Sequence, residues 1–289
     1  MRDNNNDNNK KIAEVFVDVE AHRFTADIIR RHSTNRADVR AVALDGLNLT
    51  QCKDILELGC GFGFFTEALK GRVHADAVIT GVDIVPGYES SYLKVCETAG
   101  IKGRFTSTGV SVVKDYRDRS FDLVICSYCL YFFPEIVPDI ARVLRKGGLL
   151  VTTVHNKENM SELMNFAKDV FVRGGIANNE IKLPIESFIR SFSSENGYGI
   201  LSHWFEDIHK THYGNTLVFK PGDIYSLIEY FRFKWPFFLT TVTDDVEAVF
   251  DLFEMQLQQY FTRGRTDFII TKDDTIFVCS KPFNRRRKK

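Results

Sequence analysis

The 289-residue sequence has no run of about 18 apolar residues, the length a helix needs to cross a bilayer. It has no excess of either charge: 38 acidic and 38 basic residues cancel. No global field therefore draws the chain to nucleic acid or anionic lipid, and such a partner would need a local patch. The start, Met1-Arg2-Asp3-Asn4-Asn5-Asn6, lacks the charged residues followed by an apolar segment that mark a secretion signal. Export and membrane insertion are not expected. Six cysteines, at positions 52, 60, 96, 126, 129 and 279, form no evenly spaced framework. Several lie in apolar runs, where free thiols pack as small hydrophobes, so a reducing, cytoplasmic compartment is expected. Cys126 and Cys129 have CxxC spacing, but no second pair completes a metal site and core packing is the expectation. No internal repeat is present.

What remains is a globular composition, 44% hydrophobic and 26% charged. Residues 1–11 are rich in Asn and Asp and are expected to be a flexible tail. The basic run at 284–289 is expected to be a solvated tail first and a phosphate-binding or targeting tag second. Between them, 12–283 reads as one α/β domain. Helical periodicity over 13–49 places Phe24, Ile28 and Ile29 on one face and Val39, Val42, Ala43 and Leu47 on another, so two or three helices should precede the first strand.

From 50 to 156, short apolar runs alternate with helical stretches, the pattern of βαβ units in a parallel sheet. Strands are predicted at 54–58, 78–82, 103–106, 121–126 and 148–154, and helices at 63–70, 88–99 and 136–144, the last closed by Arg145-Lys146-Gly147. Beyond 156 the rhythm changes. A helical cap is expected at 157–205 and 221–263, with the sheet completed by strands at 207–217 and 267–281, the last pair split by Lys272-Asp273-Asp274.

The most informative segment is Asp54-Ile55-Leu56-Glu57-Leu58-Gly59-Cys60-Gly61-Phe62-Gly63, an apolar strand that ends in alternating glycines and runs into a helix. Such a turn lets a ligand approach the backbone more closely than a side chain would permit. The spacing is GxGxG, with Phe64 where a nicotinamide fingerprint would carry its third glycine. Glu57 before the first glycine disfavours a pyrophosphate and suits a ligand with a cationic amino group. Twenty residues after Gly63, the strand Val78–Val82 ends in Asp83, placed to accept the hydroxyl protons of a ribose.

Four blocks in order, Glu57-Leu58-Gly59-Cys60-Gly61-Phe62-Gly63, Gly81-Val82-Asp83, Ser120-Phe121-Asp122-Leu123-Val124 and Leu144-Arg145-Lys146-Gly147-Gly148, resemble the signature of class I, Rossmann-like S-adenosylmethionine-dependent methyltransferases. The resemblance covers roughly residues 50–156; beyond it, Phe192-Ser193-Ser194-Glu195-Asn196-Gly197, Trp204-Phe205 and Tyr213-Gly214-Asn215-Thr216-Leu217 resemble the cap region of bacterial small-molecule methyltransferases. It implies a seven-stranded, mostly parallel sheet of order 3-2-1-4-5-7-6 with the last strand antiparallel, and S-adenosyl-L-methionine as cofactor. By position, Gly59, Cys60, Gly61 and Gly63 would line the methionine part and Glu57 would lie close to its amino group. Asp83 would hold the ribose, Ile84 would pack on the adenine and Ser127 would face cofactor and acceptor. Many relatives bind the adenine amine with an acidic residue after the third strand. Here Thr106-Ser107-Thr108-Gly109 offers only hydroxyls and a glycine.

A hydroxyl or acidic-carbon acceptor needs a base, whereas a carboxylate acceptor does not. His155 is the candidate base, because the fifth strand delivers it to the edge where open α/β sheets bind ligands; a loop-capping histidine is the competing reading. Tyr128 and Tyr131 are candidates for the acceptor pocket, with core packing as the alternative. His209 and His212 would fall on opposite faces of a strand and make poor joint metal ligands, so no metal is expected. The expected acceptor is a small molecule, methylated at oxygen or nitrogen. A carboxylate on a carrier protein, an RNA base, disfavoured by the balanced charge, a non-catalytic cofactor-binding protein and a nicotinamide oxidoreductase are the other readings.

Overall fold

Among the described residues two helices precede the first strand, α1 (Val19–His32) and α2 (Val39–Ala43). Each begins at an aspartate, Asp18 and Asp38, whose carboxylate accepts an otherwise unpaired backbone N–H of the first turn. The computed structural model describes residues 16–178, 180–238, 245–264 and 266–283. The expected tails at 1–11 and 284–289 lie outside the described residues.

The alternation expected between 50 and 156 is present: β1 (Asp54–Leu58), α3 (Phe64–Ala68), β2 (Val78–Val82), α4 (Glu89–Ala99), β3 (Lys102–Thr106), β4 (Phe121–Ile125), α5 (Val137–Val143) and β5 (Leu144–His155). One boundary departs from expectation. Arg145 and Lys146 do not form the last turn of α5; they open β5, where Arg145 bridges Asp54 at 2.8 Å and Asp122 at 2.7 Å. Asp122 in turn accepts the N–H groups of Lys53 and Asp54, so this ionic knot ties the starts of β1, β4 and β5 together.

Later elements are α6 (Ser161–Arg173), α7 (Pro184–Ser191), α8 (Gly197–Leu201), β6 (Phe205–Tyr213), β7 (Thr216–Phe219), α9 (Ile224–Phe238), α10 (Val246–Thr262), β8 (Phe268–Thr271) and β9 (Asp274–Pro282). The single strand expected at 207–217 is two, broken at Gly214-Asn215, where the Asp273 side chain accepts the Asn215 N–H. β7 then leaves the large sheet and pairs with β8.

The large sheet has seven strands in the order β3-β2-β1-β4-β5-β9-β6. With β9 counted as the seventh strand, this is the expected order. β1 to β5 run parallel, and β9 is antiparallel to both β5 and β6. Side chains alternate across the sheet. Leu56, Leu58 and Val124 face a core closed by Val137 and Ile140 of α5, with Phe192, Leu201 and Phe205. Ile55, Ile79 and Ile125 face the other, with Ala43, Phe65, Tyr92 and Cys96. Each buried Leu, Ile, Val or Phe among them contributes about 1.5–3 kcal/mol.

The chain divides into two compact units. The sheet unit is 37–157, 190–213 and the described residues from 274 onward. Residues 190–205, counted with the cap in the sequence, thus belong with the sheet. The second unit takes the described residues up to 36, 158–189 and 214–273. In it the β7–β8 hairpin and α1, α6, α9 and α10 surround an aromatic core in which Phe231 and Phe253 stack with centroids 3.7 Å apart. Among the described residues no helix is long and apolar enough to cross a membrane.

Candidate active site

In a parallel sheet, ligands bind beyond the carboxyl ends of the strands, and the sequence-predicted residues converge there. β1 delivers the glycine turn. Gly59 has φ +68, and a Cβ on it would stand 2.6 Å from Cys129 Sγ, so only glycine fits. The Gly59 and Cys60 N–H groups donate to Val82 O at 2.8 and 3.1 Å, which docks the turn onto the end of β2. Cys60 itself points into the core at 3% exposure, with burial pushing its thiol pKa up, so it lines the turn through its backbone.

Asp83 follows β2. Its Oδ2 accepts the Gly61 N–H at 2.8 Å, and its Oδ1 accepts those of Ile84 and Val85 at 2.8 and 3.1 Å. Burial holds this carboxyl above the usual carboxylate range despite the three donors. A carboxylate has about four acceptor positions, so one on Oδ2 is left for a ligand hydroxyl. Next to it Ile84 is 59% exposed, an apolar side chain standing on the surface beside a carboxylate. The Thr106 and Thr108 hydroxyls are 3.1 Å apart, in the loop where Gly109 N–H donates to Asp83 O.

Glu57 is held from within the fold. It is buried, and its Oε2 accepts from the Thr66 hydroxyl of α3, beside which lies the Tyr92 hydroxyl of α4. Burial raises its pKa to about 7. Gly81 sits opposite Glu57 in the β1–β2 register, and a Cβ there would lie 2.3 Å from the Tyr92 ring. The glycine of the Gly81-Val82-Asp83 block therefore makes room for Tyr92 to reach Glu57. Neither Thr66 nor Tyr92 was singled out in the sequence; a hydroxyl nine residues after a buried acid carries no pattern of its own.

Beyond β4, Ser127 Oγ is buried without a hydrogen-bond partner. Tyr128 has φ +55, a strained conformation for a bulky side chain that tends to occur where function requires it. Its hydroxyl donates to Asp274 Oδ2 at 2.7 Å, and His155 Nδ1 lies 2.6 Å from Asp274 Oδ1. Tyr131 stacks on His155 at 5.8 Å and Tyr128 packs against it at 4.9 Å. His155, Tyr128 and Tyr131 are thus brought together, and the residue that joins two of them is Asp274. Sequence reasoning took Asp274 for part of a turn, yet the β5–β9 register sets it directly opposite His155.

His209 and His212 face the Val278 and Thr275 positions of β9 on alternate sides, and among the described residues no cluster of His, Cys, Asp or Glu could hold a metal. All six cysteines are buried free thiols, Cys126 and Cys129 included. A hollow of about 550 Å³ lined by Asp76, Val78, Glu97 and Lys102 lies at the opposite ends of the strands and belongs to none of this.

Residues 56–152 match the family described as methyltransferase domain. This stretch is similar to a methyltransferase domain. Among relatives, the ubiquinone biosynthesis O-methyltransferase of Idiomarina loihiensis is 30% identical over 131 residues, 43% of this chain and 51% of that one. The 18S rRNA guanine-N7-methyltransferase of Saccharomyces cerevisiae is 27% identical over 180 residues, 56% of this chain and 62% of that one. A solved structure described as a methyltransferase of Bacillus halodurans superposes with a TM-score of 0.52 at 17% identity, covering 84% of this chain and 99% of that one, a likeness of fold. The chain spans about half the length of the first curated relatives it matches. The matched region runs from Leu56 in β1 to Thr152 in β5, so the glycine turn, Asp83 and Ser127 lie inside it, while His155 and Asp274 lie outside.

The residues present fit S-adenosylmethionine. A backbone turn that admits no Cβ, a carboxylate with an acceptor position open, an exposed apolar side chain beside it and an orphaned serine hydroxyl match a ligand with amino-acid, ribose and adenine parts.

Proposed function

We propose that the chain is an S-adenosylmethionine-dependent methyltransferase that modifies a small-molecule acceptor at oxygen or nitrogen. The observation that carries this reading is the glycine turn closed by the Gly61 N–H on Asp83 at the carboxyl edge of β1 and β2, within the matched methyltransferase domain. When bound, S-adenosylmethionine supplies an electrophilic methyl group on a sulfonium sulfur.

The chain's own residues supply placement. Gly59, Gly61 and Gly63 let the backbone close on the methionine part, Asp83 takes a ribose hydroxyl, Ile84 covers the adenine, and the hydroxyls of Thr106, Ser107 and Thr108 serve its edge. Ser127, Tyr128 and Tyr131 line the acceptor side, and His155 acts as base. Holding two reactants in line can remove roughly 7–11 kcal/mol of barrier. The Tyr128 and Tyr131 rings pack against His155 and give the point of transfer an aromatic wall. The yeast relative's name specifies an rRNA guanine; the even balance of 38 acidic and 38 basic residues supports a small molecule here.

Calorimetric titration with S-adenosylhomocysteine, with a reduced nicotinamide as control, tests the reading. Micromolar one-to-one binding, about 8 kcal/mol, is expected for the first alone. Asp83→Ala should lose about 1–3 kcal/mol of it. Absence of binding, or binding of the nicotinamide instead, would refute the proposal.

A further inference from the structure

His155 and Asp274 are 119 positions apart, and antiparallel pairing of β5 with β9 makes them partners. Asp274 is buried at 3% exposure, and both of its oxygens are engaged, Oδ1 by His155 Nδ1 at 2.6 Å and Oδ2 by the Tyr128 hydroxyl at 2.7 Å. An ionised carboxylate only accepts, so the Nδ1 proton lies between ring and carboxylate, and the lone pair of the neutral imidazole is on Nε2. Tyr128 cannot compete for the negative charge: burial, and then Asp274 itself, hold its hydroxyl pKa well above the usual value. The charge therefore stays on Asp274, facing the imidazole.

This edge is also polar beyond the dyad. Thr153 shares the face of β5 with His155, two residues away, and its Oγ1 is buried without a hydrogen-bond partner, as are Ser127 Oγ, Asn156 Oδ1 and Ser194 Oγ. The Ser194 N–H donates to His155 O at 3.0 Å and the Tyr128 N–H to Thr153 O at 2.8 Å, which holds these backbones together at the end of β5. Buried polar groups are ordinarily paired, so unpaired hydroxyls on residues flanking the dyad, Ser127 and Thr153, point to a polar ligand.

We propose that Asp274 is a positioning residue that makes His155 the general base for an acceptor carrying a hydroxyl group. This rests on the methyltransferase reading and narrows it to O-methylation. The acceptor O–H bond breaks, its proton passes to His155 Nε2 and the electron pair stays on the acceptor oxygen, which becomes the nucleophile. The imidazolium formed is balanced by Asp274 and later returns the proton to solvent through the 18% of its side chain that is exposed. Among the described residues, Asp274 from β9 and Tyr128 and Tyr131 after β4 face His155, and Tyr213 at the end of β6 faces Asp274. Burial raises the pKa of each of these three tyrosines, and Asp274 is a carboxylate in direct contact with the imidazole.

The test is histidine-selective ¹⁵N NMR of the full chain across pH 5–9, alongside S-adenosylhomocysteine binding to the same samples. In the unsubstituted protein the neutral imidazole of His155 should be the Nδ1–H tautomer. In Asp274→Asn its pKa should fall by about 1–3 pH units, as expected when an adjacent opposite charge is removed, and Asp274→Glu should restore most of it. S-adenosylhomocysteine affinity should be unchanged in both variants. An Nε2–H tautomer in the unsubstituted protein would overturn the proposal even if neither variant folds. A pKa unmoved in Asp274→Asn would overturn it too, while retained binding left the methyltransferase reading in place. Failure of the unsubstituted protein to bind S-adenosylhomocysteine would overturn both.

Discussion

Glu57→Gln isolates the electrostatic work done beneath the glycine turn. Burial raises the Glu57 carboxyl to about 7 in the fold, from about 4.5 in an unfolded chain. Below pH 4.5 the group is protonated in both states and carries no penalty. Between 4.5 and 7 the folded state binds the proton more tightly, so stability falls as pH rises, and above 7 the full penalty persists. At roughly 1.4 kcal/mol for each tenfold change in proton affinity, that penalty reaches about 3 kcal/mol. Glutamine keeps the shape and an acceptor for Thr66 and cannot ionise. Urea unfolding at pH 5 and pH 8 should therefore show the variant gaining on the parent at the higher pH. The relative midpoint shift should be on the order of 1 M, taking a slope of about 3 kcal/mol per molar. A stability difference identical at both pH values would refute the reasoning. The proposed function gives the unfavourable charge a use, since a ligand ammonium brought close to the carboxylate would lower its pKa again. The same variant should then bind S-adenosylhomocysteine less tightly.

Gly81→Ala drives a methyl group to within 2.3 Å of the buried Tyr92 ring and should lower stability by about 1–3 kcal/mol, with Tyr92→Leu relieving part of the loss in the double variant; additive effects in thermal unfolding would contradict this. Lys234, packed between Tyr230, Phe233 and Phe237, is pushed down to about 7 by burial and by Lys272. Its charged form is disfavoured in the fold, so the penalty is complete below pH 7 and disappears as pH rises toward 10.5. Lys234→Met should therefore stabilise the protein more at pH 6.5 than at pH 10 in chemical unfolding, and a pH-independent gain would contradict the assignment.

The sheet was legible because its signals are local. The runs at 54–58 and 78–82 are apolar, bounded by turn residues and of strand length, and both strands have those limits in the structure. Glycine spacing followed by Asp83 located the cofactor edge for the same reason. Periodicity blurred where tertiary contacts decide. Arg145 and Lys146 look like a basic helix end, yet Asp54 and Asp122 draw Arg145 into β5. The run 207–217 holds Gly214-Asn215, where one strand ends, but only the pairing of the next strand with β8, held by the Asp273 contact to Asn215, shows that it joins a separate hairpin. His155 was visible as a candidate because it ends a strand. Asp274 was not, because its role depends on a register between strands more than a hundred residues apart.

The central claim is that the edge formed by the glycine turn, Asp83 and Ser127 holds S-adenosylmethionine. A crystal structure of the full chain grown with S-adenosylhomocysteine tests it most directly. The account predicts the ligand's methionine part along Gly59, Gly61 and Gly63, its ribose on Asp83 and its sulfur on the side of His155. Ligand density at any other place, or none in crystals soaked well above micromolar concentration, would contradict it.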